Sequence, residues 1–182
     1  MTSIQTKQEL NCFYSEQDPW RYADHPDDVR RKTKLLSLIP PRQFERTLDI
    51  GCGNGFLTFD LPGKAVIGVD LSSSAIAWAN RTRDMRDDAA RFSFVAASLF
   101  DLDSTRLGLL DLIVITGVLY PQYIGRTSSL VRQRIDGLLE EGGILVSCHI
   151  DEWCPPRFPY TALDVELYPY RDHTHRLEIY QK

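Results

Sequence analysis

The run Thr47-Leu48-Asp49-Ile50-Gly51-Cys52-Gly53-Asn54-Gly55-Phe56-Leu57 carries the densest chemical signal in the chain. An apolar stretch ends at Asp49-Ile50, and three glycines follow at alternate positions. Glycine tolerates positive φ and has no Cβ, so such a loop can turn sharply and lay its backbone against a ligand. A second apolar stretch, Ala65-Val66-Ile67-Gly68-Val69-Asp70, ends in a carboxylate. An acid placed about twenty residues beyond a glycine loop is suited to holding the hydroxyls of a ribose. Loop and acid together point to a ligand that contains a nucleoside.

The loop spacing bears on which nucleoside. A dinucleotide site uses Gly-x-Gly-x-x-Gly and sets a pyrophosphate on a helix N-terminus. This loop is Gly-x-Gly-x-Gly, and Asp49 stands just before it. A carboxylate repels a pyrophosphate but attracts the ammonium of an amino-acid moiety. S-adenosyl-L-methionine fits that chemistry, as does its demethylated product S-adenosyl-L-homocysteine. Asp49 is then the expected ammonium partner, against a plain loop-capping role, and Asp70 the ribose partner. Gly51 and Gly53 are expected backbone contacts. Leu71 and Leu99 are expected to sandwich the adenine, with ordinary core packing as the competing reading. A nicotinamide-dependent reductase would share the acid at Asp70, but it lacks the loop spacing and a Tyr-x-x-x-Lys relay here.

Trp20, Arg21 and Arg31 are candidates upstream: Trp20 as an apolar lid, and one arginine on the cofactor carboxylate, which a planar guanidinium can hold by two hydrogen bonds. Arg30-Arg31-Lys32 also reads as a solvated helix face. Thr116, Gly117 and Tyr120 follow the apolar run Leu112–Thr116, where the reacting methyl should emerge, and Tyr120 is expected at the acceptor. His149 and Asp151 close the run Gly143–Ile150, and either can accept a proton. Arg126, Arg157 and Arg171, on expected loops, suit an anionic acceptor. His173 and His175 read as surface residues of a hairpin, and Cys148 and Cys154 as buried thiols. No Cys/His spacing suggests a metal.

These residues need a scaffold that brings strand ends together. Continuous apolar runs at Thr47–Ile50, Ala65–Asp70, Arg91–Ala96, Leu112–Thr116 and Gly143–Ile150 suit strands buried on both faces of a parallel sheet. Helices are expected from Pro26 to Pro40 with Val29, Leu36 and Ile39 on one face, from about Phe56, after a Ser72 cap with Ala75, Ile76 and Ala79, and from Thr127 to Leu139. Two short extended pieces, around 165–167 and 176–180, are expected to pair antiparallel at one edge. The expected fold is a Rossmann-like doubly wound α/β sheet of about seven mostly parallel strands, antiparallel at its C-terminal edge, with helices on both faces. One domain spans 1–182: an N-terminal helical arm and lid (1–45), a cofactor-binding core (46–150), and an acceptor-side loop with antiparallel strands (151–182).

Composition agrees with a single globular domain: 182 residues, 43% hydrophobic and 25% charged. Lys plus Arg is 21 against Asp plus Glu 25, a net charge of −4, which argues against a nucleic-acid partner. No apolar run approaches the about 20 residues of a membrane span. The polar N-terminus has no signal core, so a cytoplasmic location is expected.

Leu-Asp-Ile-Gly-Cys-Gly-Asn-Gly and Val-Ile-Gly-Val-Asp-Leu-Ser together resemble the first two motifs of class I S-adenosylmethionine-dependent methyltransferases. Asp18-Pro19-Trp20-Arg21, Thr33-Lys34-Leu35-Leu36 and Asp111 to Tyr120 are similar to the small nodulation-protein-S (NodS) type of N-methyltransferase, over about Asp18 to Asp151. The resemblance implies methyl transfer to an N or O nucleophile of a small metabolite such as an amino sugar, and the loop arginines add an anionic small molecule as the other expected acceptor. It departs at Ser98, where an acidic residue often holds the adenine amino group, and at Gly117, where a Glu is common. A non-catalytic cofactor-binding module is the alternative that Gly117 leaves open.

Overall fold

Each central strand buries residues on both of its faces, which is why the sequence runs are continuously apolar rather than alternating. In β4 (Leu110–Thr116), Leu112 and Val114 enter one core cluster while Ile113 and Ile115 enter the other. The computed structural model describes residues 4–153 and 155–182, so Cys154 lies outside the described residues. Seven strands form one sheet in the order β3-β2-β1-β4-β5-β7-β6. They are β1 (Arg46–Ile50), β2 (Ala65–Asp70), β3 (Phe92–Ala96), β4, β5 (Leu139–Ile150), β6 (Thr161–Tyr170) and β7 (His173–Gln181). The first five pair in parallel, and β7 runs antiparallel between β5 and β6. This is the expected doubly wound sheet with its antiparallel edge. Strand order reverses at β1, between β2 and β4, so the crevice beyond the carboxyl end of β1 is open to a ligand.

Among the described residues six α-helices flank the sheet: α1 (Lys7–Phe13), α2 (Pro26–Leu38), α3 (Ser73–Asp84), α4 (Ser104–Leu107), α5 (Pro121–Ile124) and α6 (Ser128–Leu138). Ser72 caps α3 as expected, its hydroxyl accepting from Ala75 N at 3.2 Å, and Ala75, Ile76 and Ala79 are buried. α6 matches the expected helix, but its C-terminus runs directly into β5 at Leu139. Among the described residues no helix is long and apolar enough to cross a membrane.

Three local expectations are corrected. No α-helix begins at Phe56; the crossover from β1 to β2 holds one 3-10 turn, Thr58–Asp60. Pro62 disfavours helical geometry in the residue before it, and Leu61 is extended at φ −66, ψ 141. The buried face of α2 is Asp28, Arg31 and Leu35, not Val29, which is 43% exposed. His175 is 3% exposed and stacks on Tyr170 with ring centroids 3.6 Å apart, so it is no surface residue. Helix α1 was not anticipated, although Thr6-x-x-Glu9 forms a reciprocal capping box, with Thr6 N donating to Glu9 at 2.6 Å and Glu9 N to Thr6 at 3.2 Å.

Candidate functional site

The carboxyl ends of β1, β2 and β4 open into one cleft of about 440 Å³, roofed by the N-terminal arm and the β6–β7 hairpin. Asp49 lies at its floor, 1% exposed. Its Oδ2 accepts from the Thr58 hydroxyl at 2.6 Å, while its Oδ1 has no hydrogen-bond partner. Burial pushes the Asp49 carboxyl up to about 7, against the opposing Thr58 hydrogen bond. An unpaired buried carboxylate oxygen is costly in the absence of a cation. This position therefore favours a ligand that brings one.

The glycine loop then turns toward β2. Gly51 takes φ +78, and a Cβ there would collide with Val118. A Cβ on Gly53 would lie 2.7 Å from the Tyr14 hydroxyl. Gly53 N donates to Asp70 Oδ2 at 3.0 Å and Ser72 N to Oδ1 at 2.8 Å. These bonds fix the plane of the Asp70 carboxylate, and each oxygen keeps a further lone pair for a ligand hydroxyl. Burial raises the Asp70 carboxyl, and the backbone donors oppose it. Leu71, Ser98 and Leu99 line the same wall, with the Ser98 hydroxyl occupied by Phe100 N at 3.2 Å. Thr116 and Gly117 form the floor beyond β4. Gly117 has φ +69 with open space where a Cβ would stand.

From the other side, α2 points Arg31 into the cleft. Its guanidinium lies over the rings of Tyr22 (5.2 Å) and Tyr170 (5.9 Å), and its nearest carboxylate is Asp28 at 3.4 Å. Trp20 packs between Phe13 and Tyr22, with ring centroids 4.5 and 6.3 Å away, and lines the cleft. Arg21 does not line it. That residue is an exposed turn position at φ 55.

Of the three residues expected to act on the acceptor, Tyr120 lines the cleft and the other two do not. The Tyr120 hydroxyl accepts from Ile150 N at 2.7 Å, and burial pushes its phenol up. His149 is 1% exposed, its Nδ1 3.2 Å from the Ser147 hydroxyl, its Nε2 without a partner. Burial, with Arg31 and Arg157 adding to it, lowers its imidazole to about 3. Asp151 is held by Arg157 at 2.9 Å.

The sequence reading missed Tyr14, Tyr22, Tyr170 and His175, all on the cleft. Signals for three of them were available: His175 alternates in phase with Leu177 and Ile179, and Tyr14 and Tyr22 stand on either side of Trp20. Cys148 is fully buried, as expected, with its sulfur 3.4 Å from the Tyr168 hydroxyl and 3.6 Å from His175 Nδ1.

Comparison with known proteins gives this arrangement a family. The methyltransferase domain family matches residues 43–173. Thiocyanate methyltransferase 1 of Arabidopsis thaliana is 33% identical over 100 residues, covering 53% of this chain and 41% of the relative, so the chain spans about two fifths of that protein's length. Among solved structures, the N-methyltransferase NodS from Bradyrhizobium japonicum with S-adenosyl-L-homocysteine superposes with a TM-score of 0.79 at 24% identity, covering 97% of each chain. The [4+2]-cyclase SpnF superposes with a TM-score of 0.73 at 13% identity, covering 99% of this chain and 98% of that one. Such distant likenesses establish the fold, and a fold shared with a cyclase does not choose a reaction. The domain match spans most of the chain and takes in the glycine loop, both acids and the strand ends around them, and on that basis the chain belongs to the methyltransferase domain family.

Proposed function

We propose that this protein binds S-adenosyl-L-methionine in the cleft and directs transfer of its methyl group to an N or O nucleophile of a small molecule. The observation that carries the reading is a pair of opposite charges lining one cleft: the unpaired Asp49 Oδ1 and the Arg31 guanidinium. A free α-amino acid group presents an ammonium and a carboxylate, and this pair complements both. Asp70 accepts from the ribose hydroxyls, Gly51 and Gly53 admit the ligand close to the backbone, and Leu71 and Leu99 cover the adenine beside Ser98. Thr116 and Gly117 border the sulfur side. Trp20 covers the cofactor from the N-terminal arm (1–45), above the binding core (46–150). Tyr120 and the C-terminal segment (151–182) face the acceptor.

The bound cofactor supplies a methyl group already activated on a sulfonium. What the chain must add is alignment and exclusion of water. Calorimetric titration with S-adenosyl-L-methionine and S-adenosyl-L-homocysteine tests the reading, with NADH and NADPH as controls. Binding of the sulfur pair alone is expected, together with loss of that binding in Asp70→Ala. Binding of the dinucleotides instead, or unchanged affinity in Asp70→Ala, would overturn it.

A further inference from the structure

Resting on the methyl-transfer reading, we propose that the acceptor is a compact anion that enters the aromatic half of the cleft already deprotonated and attacks with its own lone pair, with no protein base. Three observations carry this.

The first is charge. Asp49 and Asp70, the carboxylates that line the cleft, lie at the ends of β1 and β2 on the cofactor side. Toward the β6–β7 hairpin the charged groups on the wall are Arg31 and Arg171, with His173 and His175 beside them. The carboxylate next to these, Asp28, is fully buried and already taken. It receives the Tyr170 hydroxyl and an Arg171 nitrogen, each at 2.7 Å, and faces Arg31 at 3.4 Å. With a cofactor ammonium on Asp49 and carboxylate on Arg31, the positive charge left facing the acceptor is the sulfonium. An anion is attracted there, whereas an ammonium finds no carboxylate to hold it.

The second is the want of a proton acceptor. His175 shares its Nδ1 with the Tyr168 hydroxyl at 3.4 Å and with the Cys148 sulfur, and burial reinforced by Arg31 lowers it to about 3. The Tyr120 hydroxyl is occupied by Ile150 N, His149 lies off the cleft, and Asp151 is tied to Arg157. The remaining imidazole on the wall is His173, packed on the half-exposed Trp153 ring at 5.4 Å. It is therefore the side chain that a base mechanism would need, and the test includes it.

The third is space and solvent. A cleft of about 440 Å³ must hold both cofactor and acceptor, which favours a small acceptor. Its acceptor side is walled by Tyr22, Tyr120, Tyr123, Trp153 and Tyr170. Attack of an anion on the methyl carbon forms the new bond as the carbon–sulfur pair returns to sulfur. An anion and a cation give two neutral products, and no proton moves. Weakly solvating aromatic walls favour such charge annihilation, because the reactants lose more by leaving water than the transition state does.

The test uses two probes of one shape and opposite charge. The full chain, saturated with sinefungin, an unreactive analogue that places an ammonium where the sulfonium stands, is titrated calorimetrically with benzoate and with benzylamine. Benzoate is expected to bind at least about tenfold tighter. Gln122→Glu adds a carboxylate on the cleft wall and should weaken benzoate by about tenfold while leaving homocysteine-nucleoside affinity nearly unchanged. His173→Asn should keep the preference for benzoate. Tighter or equal binding of benzylamine, binding of neither probe, no response to Gln122→Glu, or loss of the preference in His173→Asn would each overturn the proposal. Failure of S-adenosyl-L-homocysteine itself to bind would instead overturn the methyl-transfer reading.

Discussion

At the scale of single residues, Asp49 ties function to stability. A carboxyl moved from 3.8 to about 7 binds a proton in the folded protein that it does not bind in the unfolded chain between those pH values. Stability then falls as pH rises through about 4 to 7 and is lowest above the folded value; the ceiling on this loss is about 4 kcal/mol. An ammonium bound at Oδ1 removes the cause. Asp49→Asn keeps an acceptor for Thr58 and deletes the charge, so the ligand-free variant should melt higher than the wild type at pH 8 and close to it at pH 4. The same variant should lose S-adenosyl-L-homocysteine binding. Wild-type affinity should increase from pH 6 to pH 8 as the carboxyl ionises. A variant that melts no higher at pH 8, or a wild-type affinity flat across that range, would show that the carboxylate is not held unpaired. Asp49 and Asp70 were legible because a motif places them. His175 was read as surface, and Arg31 was weighed between the cofactor carboxylate and a solvated helix face, because their types are polar, although the alternation of β7 and the i, i+3, i+7 spacing of Asp28, Arg31 and Leu35 in α2 mark both as inward-facing.

At the scale of elements, the N-terminal arm closes the cleft through a few specific contacts. Asn11 accepts from the Ser72 hydroxyl at 2.9 Å, Trp78 donates to the Tyr14 carbonyl at 3.2 Å, and Arg171 donates to the Trp20 carbonyl at 3.1 Å. Among the described residues the two non-glycine positions with positive φ, Arg21 and Arg171, both sit at that last junction. Trp20 stacks within an aromatic row at the rim, half-buried rather than in either core cluster. Trp20→Ala should therefore weaken S-adenosyl-L-homocysteine binding by about tenfold or more, since the apolar area such a lid removes from water is worth about 1–3 kcal/mol, while its melting temperature moves only slightly. A purely thermal defect would assign Trp20 to anchoring instead. Strands were the legible elements here because burial on both faces writes itself as continuous Val, Ile and Leu. Helix boundaries were less so: the expected helix at Phe56 failed on Pro62, one position that overrode a favourable run.

At the scale of the whole molecule, the sheet and arm make one ligand-linked unit. The cleft draws residues from both termini: Gln5 N donates to Gln122 O at 2.8 Å, and the β6–β7 hairpin contacts α2 through Arg171 and Lys34, the latter paired with Glu166 at 2.6 Å. The αβ alternation made the parallel core legible and the two extended pieces of the tail its antiparallel edge, but neither showed that β7 rather than β6 would lie beside β5. That the hairpin forms a cleft wall depends on β7 inserting beside β5, a long-range pairing with no local signature. A ligand in such a cleft should stabilise the entire chain. At about 100 times its dissociation constant, S-adenosyl-L-homocysteine should add about 2.7 kcal/mol, a rise of about 5–11 °C in melting temperature for a domain of this size. The whole unit should melt in one transition that moves upward together when followed by far-UV circular dichroism and by tryptophan fluorescence, since Trp20 and Trp153 both line the cleft. NADH should leave it in place, and Asp70→Ala should remove the shift. If the fluorescence transition moved without the circular dichroism transition, the ligand would be ordering the arm alone, and the coupling between cleft and sheet argued from these contacts would fail.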